Sequence, residues 1–178
     1  MKLLWLDLET GGLDPAQYGI LEVAALVAAF EDPFEPTGGS FIAALRTPLS
    51  SPMSAPAREM HTKSGLLEEC ARSLVDVADA ERALLALVPE GNPTDPRQEK
   101  TTLAGSSVHF DLAFVRRLMP TLAARLSYRV YDVSAVELFC RSLGMTKLPR
   151  AEAHRALPDI HESLAIAKKC ADWLRAWG

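Results

Sequence analysis

Trp5-Leu6-Asp7-Leu8-Glu9-Thr10-Gly11-Gly12-Leu13-Asp14 is the stretch on which the reading of this chain turns. The apolar run over residues 2–8, KLLWLDL, predicts a short buried strand, broken by Gly11-Gly12 and closed by Asp14-Pro15. Side chains alternate along a strand, so Asp7 and Glu9, two positions apart, leave the same face. Strand ends in open α/β sheets border the ligand crevice, and the glycines that follow leave room for a substrate backbone. Taken alone, the stretch reads equally as two solvated acids at a strand end.

Three residues further along suit the same crevice. Asp111, in SSVHFDLAF, falls in the first turn of a helix, and Asp159, in HRALPDIHES, falls in the first turn after Pro158. Free N–H groups and the helix dipole favour a carboxylate at such positions, which is also what any capping aspartate uses. His154 stands five residues before Asp159, on what Pro158 makes a loop. A loop histidine titrates near working pH and suits a general base; alone it reads as a surface histidine. Four carboxylates brought together repel, so a fold that gathers them needs positive charge. A pair of divalent ions is the usual source, and phosphodiester hydrolysis the usual chemistry.

The segments between these residues set the architecture. Residues 20–30 (ILEVAALVAAF) fit a strand or a helix, and SFIAAL from Ser40 is a third candidate strand, giving a three-stranded meander. Residues 47–58 are dense in Ser and Pro and read as loop. Helical patterns follow in SGLLEECARS and VADAERALLALV, then a polar loop from Pro89 to Lys100. Thr101–Ala104 reads as a buried strand, with a helix after it that stops at Pro120. Tyr128–Val133 is the last strand, Ser134 caps a helix, and a C-terminal helix runs from about Pro158 to Trp173. The prediction is one α/β domain over residues 1–178, with a mixed sheet.

Composition narrows the partners. The chain has 178 residues, 19 basic and 23 acidic, for a net charge of −4. Proteins that grip long nucleic acid are usually basic, so an acidic one acting on nucleic acid makes few phosphate contacts or lets metals supply the charge. Cys70, Cys140 and Cys170 are odd in number and far apart, as expected of free thiols in a reducing cytoplasm. No apolar run reaches membrane length, and MKLLWLDLE is not a signal peptide.

The ordered set D-x-E, a helix-borne Asp and H-x4-D resembles the DEDDh branch of the 3′–5′ exonucleases, and within it the oligoribonucleases. The resemblance covers WLDLETGGLDP, MHTKSGLLEECARS, GSSVHFDLAFVRRLMPTLAARLSYRVYDVSAVELFCR and AHRALPDIHESL. It implies a ribonuclease H-like fold with a mixed five-stranded sheet flanked by helices. Asp7, Glu9, Asp111 and Asp159 would coordinate two Mg²⁺ or Mn²⁺ ions, and His154 would deprotonate the attacking water. Short single-stranded oligonucleotides, RNA ahead of DNA, would be cut from the 3′ end to 5′-mononucleotides by a homodimer. Leu13 would wedge between bases. His61 matches a histidine near the 5′ phosphate, and Ser107, Tyr128, Arg129 and Ser134 match positions that help bind substrate phosphate, some reaching across a dimer interface. The readings as core leucine, strand-end polar groups and helix caps stand beside these.

The chain departs from the pattern at Pro56, where oligoribonucleases carry a base-stacking tryptophan, and at Phe110 and Pro158, where polar or acidic residues are frequent. Stacking on an aromatic is worth about 1–3 kcal/mol per base, so a strict dinucleotide preference does not carry over. An exonuclease of longer strands is the competing enzyme, which basic patches would favour; Arg116-Arg117 and Lys168-Lys169 read as solvated helix faces. A non-catalytic binding module of the same fold would be expected to lack one of the five residues, and all five are present.

Overall fold

β1 (Lys2–Thr10) is the central strand of the sheet, and it runs past the expected residue 8 so that both acids lie inside it. The computed structural model describes residues 2–88, 100–150 and 154–177. β2 (Ile20–Ala29) returns antiparallel to β1, and β3 (Ser40–Ala44) antiparallel to β2. The ambiguous stretch at residues 20–30 is thus a strand. Strands on either side satisfy its backbone, and this overrides the helix preference of its alanines. β4 (Thr101–Gly105) lies parallel to β1, and β5 (Leu126–Asp132) parallel to β4, giving the order β3-β2-β1-β4-β5. The mixed five-stranded sheet is the one anticipated.

The helices are α1 (Ala55–Lys63), α2 (Leu66–Arg72), α3 (Val77–Leu87), α4 (His109–Leu118), α5 (Pro120–Arg125), α6 (Val133–Ser142) and α7 (Ala156–Trp177). Several departures from expectation share one cause. Prolines read as breakers instead begin helices, because the first turn needs no N–H from them. Residues 47–58 are therefore loop only as far as Ser54, whose Oγ caps α1 through the N–H of Ala57, with Pro56 in the first turn. Pro120 ends α4 but also opens α5. Ser134 is not the cap of α6: Asp132 is, its Oδ1 accepting the Ser134 N–H at 2.9 Å. α7 starts before Pro158 because Glu22 Oε2 accepts the Ala156 N–H at 2.9 Å. Of the polar loop expected at Pro89–Lys100, residues 89–99 lie outside the described residues, as does the Trp177 side chain; Trp173 packs against the core.

Alternation along β1 splits the core in two and positions the site. Leu4, Leu6 and Leu8 face a cluster with Leu84 of α3, Phe114 of α4 and Leu122 of α5. Leu3 and Trp5 face Cys140 of α6 and Ile160, Leu164 and Ala167 of α7. Trp5 is fully buried, meets Tyr131 edge-on at 5.7 Å, and donates from Nε1 to Pro33 O at 2.9 Å. Burying a large apolar side chain contributes about 1.5–3 kcal/mol, so these residues fasten α7 to the sheet. The face that begins with Leu3 and Trp5 continues as Asp7 and Glu9, where α7 has its first turn.

Two glycines are explained by close approach. A Cβ on Gly12 would lie 2.5 Å from the Tyr18 ring, so a side chain of the protein fills the space first ascribed to a substrate. A Cβ on Gly105 would lie 2.8 Å from Leu6 O, where the end of β4 crowds β1.

Candidate active site

Carboxylate oxygens of Asp7, Glu9 and Asp159 all lie within 4.8 Å of one another. Two come from the end of β1 and the third from the first turn of α7, where the Asp159 N–H donates to Arg155 O at 3.1 Å. Asp111, on the first turn of α4, is outside this 4.8 Å group but beside it. β4 pairs with β1 only as far as Trp5, and Asp111 Oδ1 accepts the N–H of Leu8 beyond that point, at 3.0 Å. Asp111 is 4% exposed, so this bond satisfies a buried donor and fixes a buried acid together.

Burial dominates the electrostatics. It pushes the Asp7 carboxyl up to about 8, helped by the charges of Asp111, Asp159 and Glu22. It pushes Glu9 up to about 8 as well, with Asp7 the next contributor. Asp111 rises to about 7 through burial, against the opposing Leu8 N–H, and Asp159 is raised by burial and then by Glu162. Hard oxygen donors converging from separate elements, and disfavouring their own ionisation, are a donor set that fits a divalent cation such as Mg²⁺ or Mn²⁺.

His154 precedes α7 and is exposed, with a φ of 48°. It lines a cleft of about 190 Å³ with Asp7, Ser106, Arg150, Asp159, Glu162 and Ser163. Ser107 also has a positive φ, of 53°. Such a backbone is unfavourable for residues with side chains, and among the described non-glycine residues these two, both singled out from sequence, adopt it.

The remaining sequence candidates are not among the residues that line this cleft. Leu13 is 82% exposed beyond the end of β1. The N–H of Ser107 donates to Asp132 Oδ1 and to Ser134 Oγ, each at 3.0 Å, and the two serine hydroxyls lie 3.2 Å apart. Tyr128 and Arg129 are exposed on the edge strand β5, the guanidinium 4.7 Å from the tyrosine ring centroid. His61 is fully buried. Its Nε2 is 3.0 Å from Thr10 O and 3.8 Å from Glu9 Oε2, while Nδ1 has no partner among the described residues. Burial holds this ring below the usual histidine range, and because the Thr10 carbonyl can only accept, Nε2 carries the proton of that bond.

The sequence reading passed over the charged groups that support the cleft. Arg155 is forked between Glu22 on β2 and Glu69 on α2, and Arg150 Nη2 donates to the buried Glu137 at 2.7 Å. Arg155 follows His154 directly, which could have drawn attention to it; Glu22 lies in an apolar run and gave no signal.

The profile of the exonuclease family, RNase T type, matches residues 4–167. The oligoribonuclease of Mycobacterium bovis (strain BCG / Pasteur 1173P2) is 38% identical over 168 residues, covering 92% of this chain and 76% of that protein. That of Corynebacterium diphtheriae is 35% identical over 180 residues, covering 99% and 83%. Among solved structures, a zinc-bound E. coli exonuclease I–single-stranded DNA complex superposes with a TM-score of 0.68 at 19% identity, over 98% of this chain and 43% of that one. The same enzyme with a dT13 oligonucleotide gives 0.67 at 18%, over 94% and 40%. This chain thus spans less than half of exonuclease I, and the likeness speaks for the fold alone. With the profile and these relatives, the chain belongs to the exonuclease family, as a 3′–5′ exonuclease of the DEDDh branch similar to oligoribonucleases.

Proposed function

We propose that residues 1–178 form a single-domain, divalent-metal-dependent 3′–5′ exonuclease that hydrolyses short single-stranded oligonucleotides, RNA in preference to DNA, to 5′-mononucleotides. The observation that carries the proposal is the meeting of Asp7, Glu9 and Asp159 within 4.8 Å, with Asp111 beside them and His154 on the same cleft. Asp7, Glu9, Asp111 and Asp159 would hold two Mg²⁺ or Mn²⁺ ions, which when bound neutralise the cluster and stabilise charge developing on the phosphate. His154 takes a proton from the attacking water, whose oxygen bonds to phosphorus as the bond from phosphorus to the 3′ oxygen of the preceding nucleotide breaks, and that oxygen leaves as a 3′ hydroxyl on taking a proton from solvent. The Leu8 N–H keeps Asp111 in place throughout.

Leu13, apolar and 82% exposed beyond the end of β1, would wedge between bases. The paired hydroxyls of Ser107 and Ser134 would offer hydrogen bonds to phosphate, and His61, with Nε2 3.8 Å from Glu9 Oε2, would stand near the 5′ phosphate. Tyr128 and Arg129 reach substrate from the edge strand. That strand and α6 expose Tyr128, Val130, Leu138 and Phe139, and a homodimer would cover this apolar surface. The net charge of −4 agrees with short substrates, which offer few phosphates. Three free buried cysteines suit the cytoplasm, and among the described residues no helix is long and apolar enough to cross a membrane.

The test is digestion of 5′-labelled RNA and DNA, from dinucleotides to about twenty nucleotides, with Mg²⁺ or Mn²⁺. Stepwise loss of mononucleotides from the 3′ end, fastest on the shortest RNA, is expected. Equal rates at all lengths would remove the short-substrate preference and leave the exonuclease; release from the 5′ end would overturn both.

A further inference from the structure

We infer that Arg155 is a positioning residue for His154, acting by clamping the joint between the histidine loop and α7 onto the sheet. The inference rests on the reading of His154 as the base. Arg155 Nε lies 3.1 Å from each oxygen of Glu22, and Nη2 donates to Glu22 Oε1 at 2.7 Å. The other edge of the guanidinium meets Glu69, with Nη1 to Oε1 at 3.0 Å and Nη2 to Oε2 at 2.7 Å. A planar fork locked between two carboxylates has no rotational freedom left, unlike a lysine ammonium in the same place.

Three features connect this fork to the site. Glu22 is the cross-strand partner of Glu9, so the anchor stands on the strand beside the acidic cluster. Its side chain is 4% exposed, and its second oxygen accepts the N–H of Ala156, the first residue of α7. The carbonyl of Arg155 itself accepts the N–H of Asp159. One residue thus fixes the helix turn that presents Asp159 on one side and, on the other, the backbone of His154 in its unfavourable φ of 48°. A left-handed backbone at a non-glycine residue persists only where its surroundings enforce it, and the next residue in the chain supplies the enforcement. Glu69 brings α2 into the clamp, so the helical pair α1–α2 is tied to the same joint.

An ion pair that merely adds stability would not act through the histidine, and a double-mutant cycle separates the two. Turnover of a dinucleotide with Mg²⁺ is measured for the wild type, Arg155→Lys, His154→Ala and the double variant. Arg155→Lys should lower kcat by roughly 10–10²-fold, the scale of a 1 Å misplacement, while KM changes by less than about twofold. In the His154→Ala background the same change should cost less than about twofold. Glu69→Gln leaves the buried Arg155–Glu22 contact intact and serves as a variant expected to stay folded. It should show a smaller kcat loss that also vanishes without His154. Equal losses in both backgrounds overturn the proposal, as does a kcat loss matched by weaker Mn²⁺ binding in calorimetry. Wild-type turnover by His154→Ala would remove the base assignment and the clamp together, while mononucleotide release by the wild type would leave the exonuclease reading standing.

Discussion

Loading this protein with a divalent ion should expel about two protons at pH 7, a number that follows from the acidic cluster. Asp7 and Glu9, each pushed up to about 8 by burial, are about nine-tenths protonated at pH 7 when no ion is bound. Asp111, pushed up to about 7, is about half protonated. Ion binding requires the carboxylates, so these protons leave. The assay is calorimetric titration with Mn²⁺ in buffers of different ionisation enthalpy, where the slope of observed heat against that enthalpy counts protons. The count should fall toward zero above about pH 9, and apparent affinity should climb by at least about a hundredfold per pH unit between pH 6 and 7, then less steeply until it levels off above about pH 9. A slope of zero at pH 7, with affinity flat from pH 6 to 9, would refute the reasoning, because carboxylates at their ordinary values release nothing there.

Four further outcomes are expected. The same raised carboxyl groups contribute stability that is complete below their unfolded values near 4 and is lost as pH rises through about 8; thermal melts in EDTA should therefore show the protein less stable at pH 8 than at pH 5, by an amount on the order of a few kcal/mol, and Mg²⁺ should restore it at the higher pH. Asp111→Ala should abolish turnover while the protein stays folded, since the unsatisfied Leu8 N–H costs about 1–3 kcal/mol and relief of like-charge repulsion offsets part of it; wild-type turnover would exclude Asp111 as a ligand. His154→Ala should slow hydrolysis about 10²–10⁴-fold with Mn²⁺ affinity unchanged, and lost affinity would mean the histidine is a ligand and not the base. Leu138→Glu with Phe139→Glu should halve the mass seen in light scattering if α6 lies in a homodimer interface, and an unchanged mass would place the interface elsewhere.

The acidic cluster was legible because its residue types are anomalous where they stand. Acids inside an apolar strand contradict what packing alone would select, and His154 stood out by its spacing to Asp159. The sheet was legible where a short apolar run was bounded by turn residues, as in β1 and β4. It was ambiguous over β2, because a ten-residue apolar strand without alternation is also long enough for a helix. α1 and α5 were missed for a local reason, since Pro56 and Pro120 permit a helix start as readily as they forbid a continuation. Phe110, read as a departure next to Asp111, meets Phe114 at 5.2 Å and belongs to packing. The Glu22–Arg155–Glu69 fork could not be read at all, because its members lie 133 and 86 positions apart and only the folded chain makes them neighbours. Nor could sequence show that Asp111 is held by a backbone N–H left open where β4 stops pairing with β1.

Diffraction from a Mn²⁺-soaked crystal, collected at the manganese absorption edge, tests the central claim most directly. The account expects anomalous peaks about 3.5–4 Å apart, within bonding distance, about 2.0–2.3 Å, of oxygens from Asp7, Glu9, Asp111 and Asp159. Manganese bound only elsewhere, with those four carboxylates unligated, would contradict it.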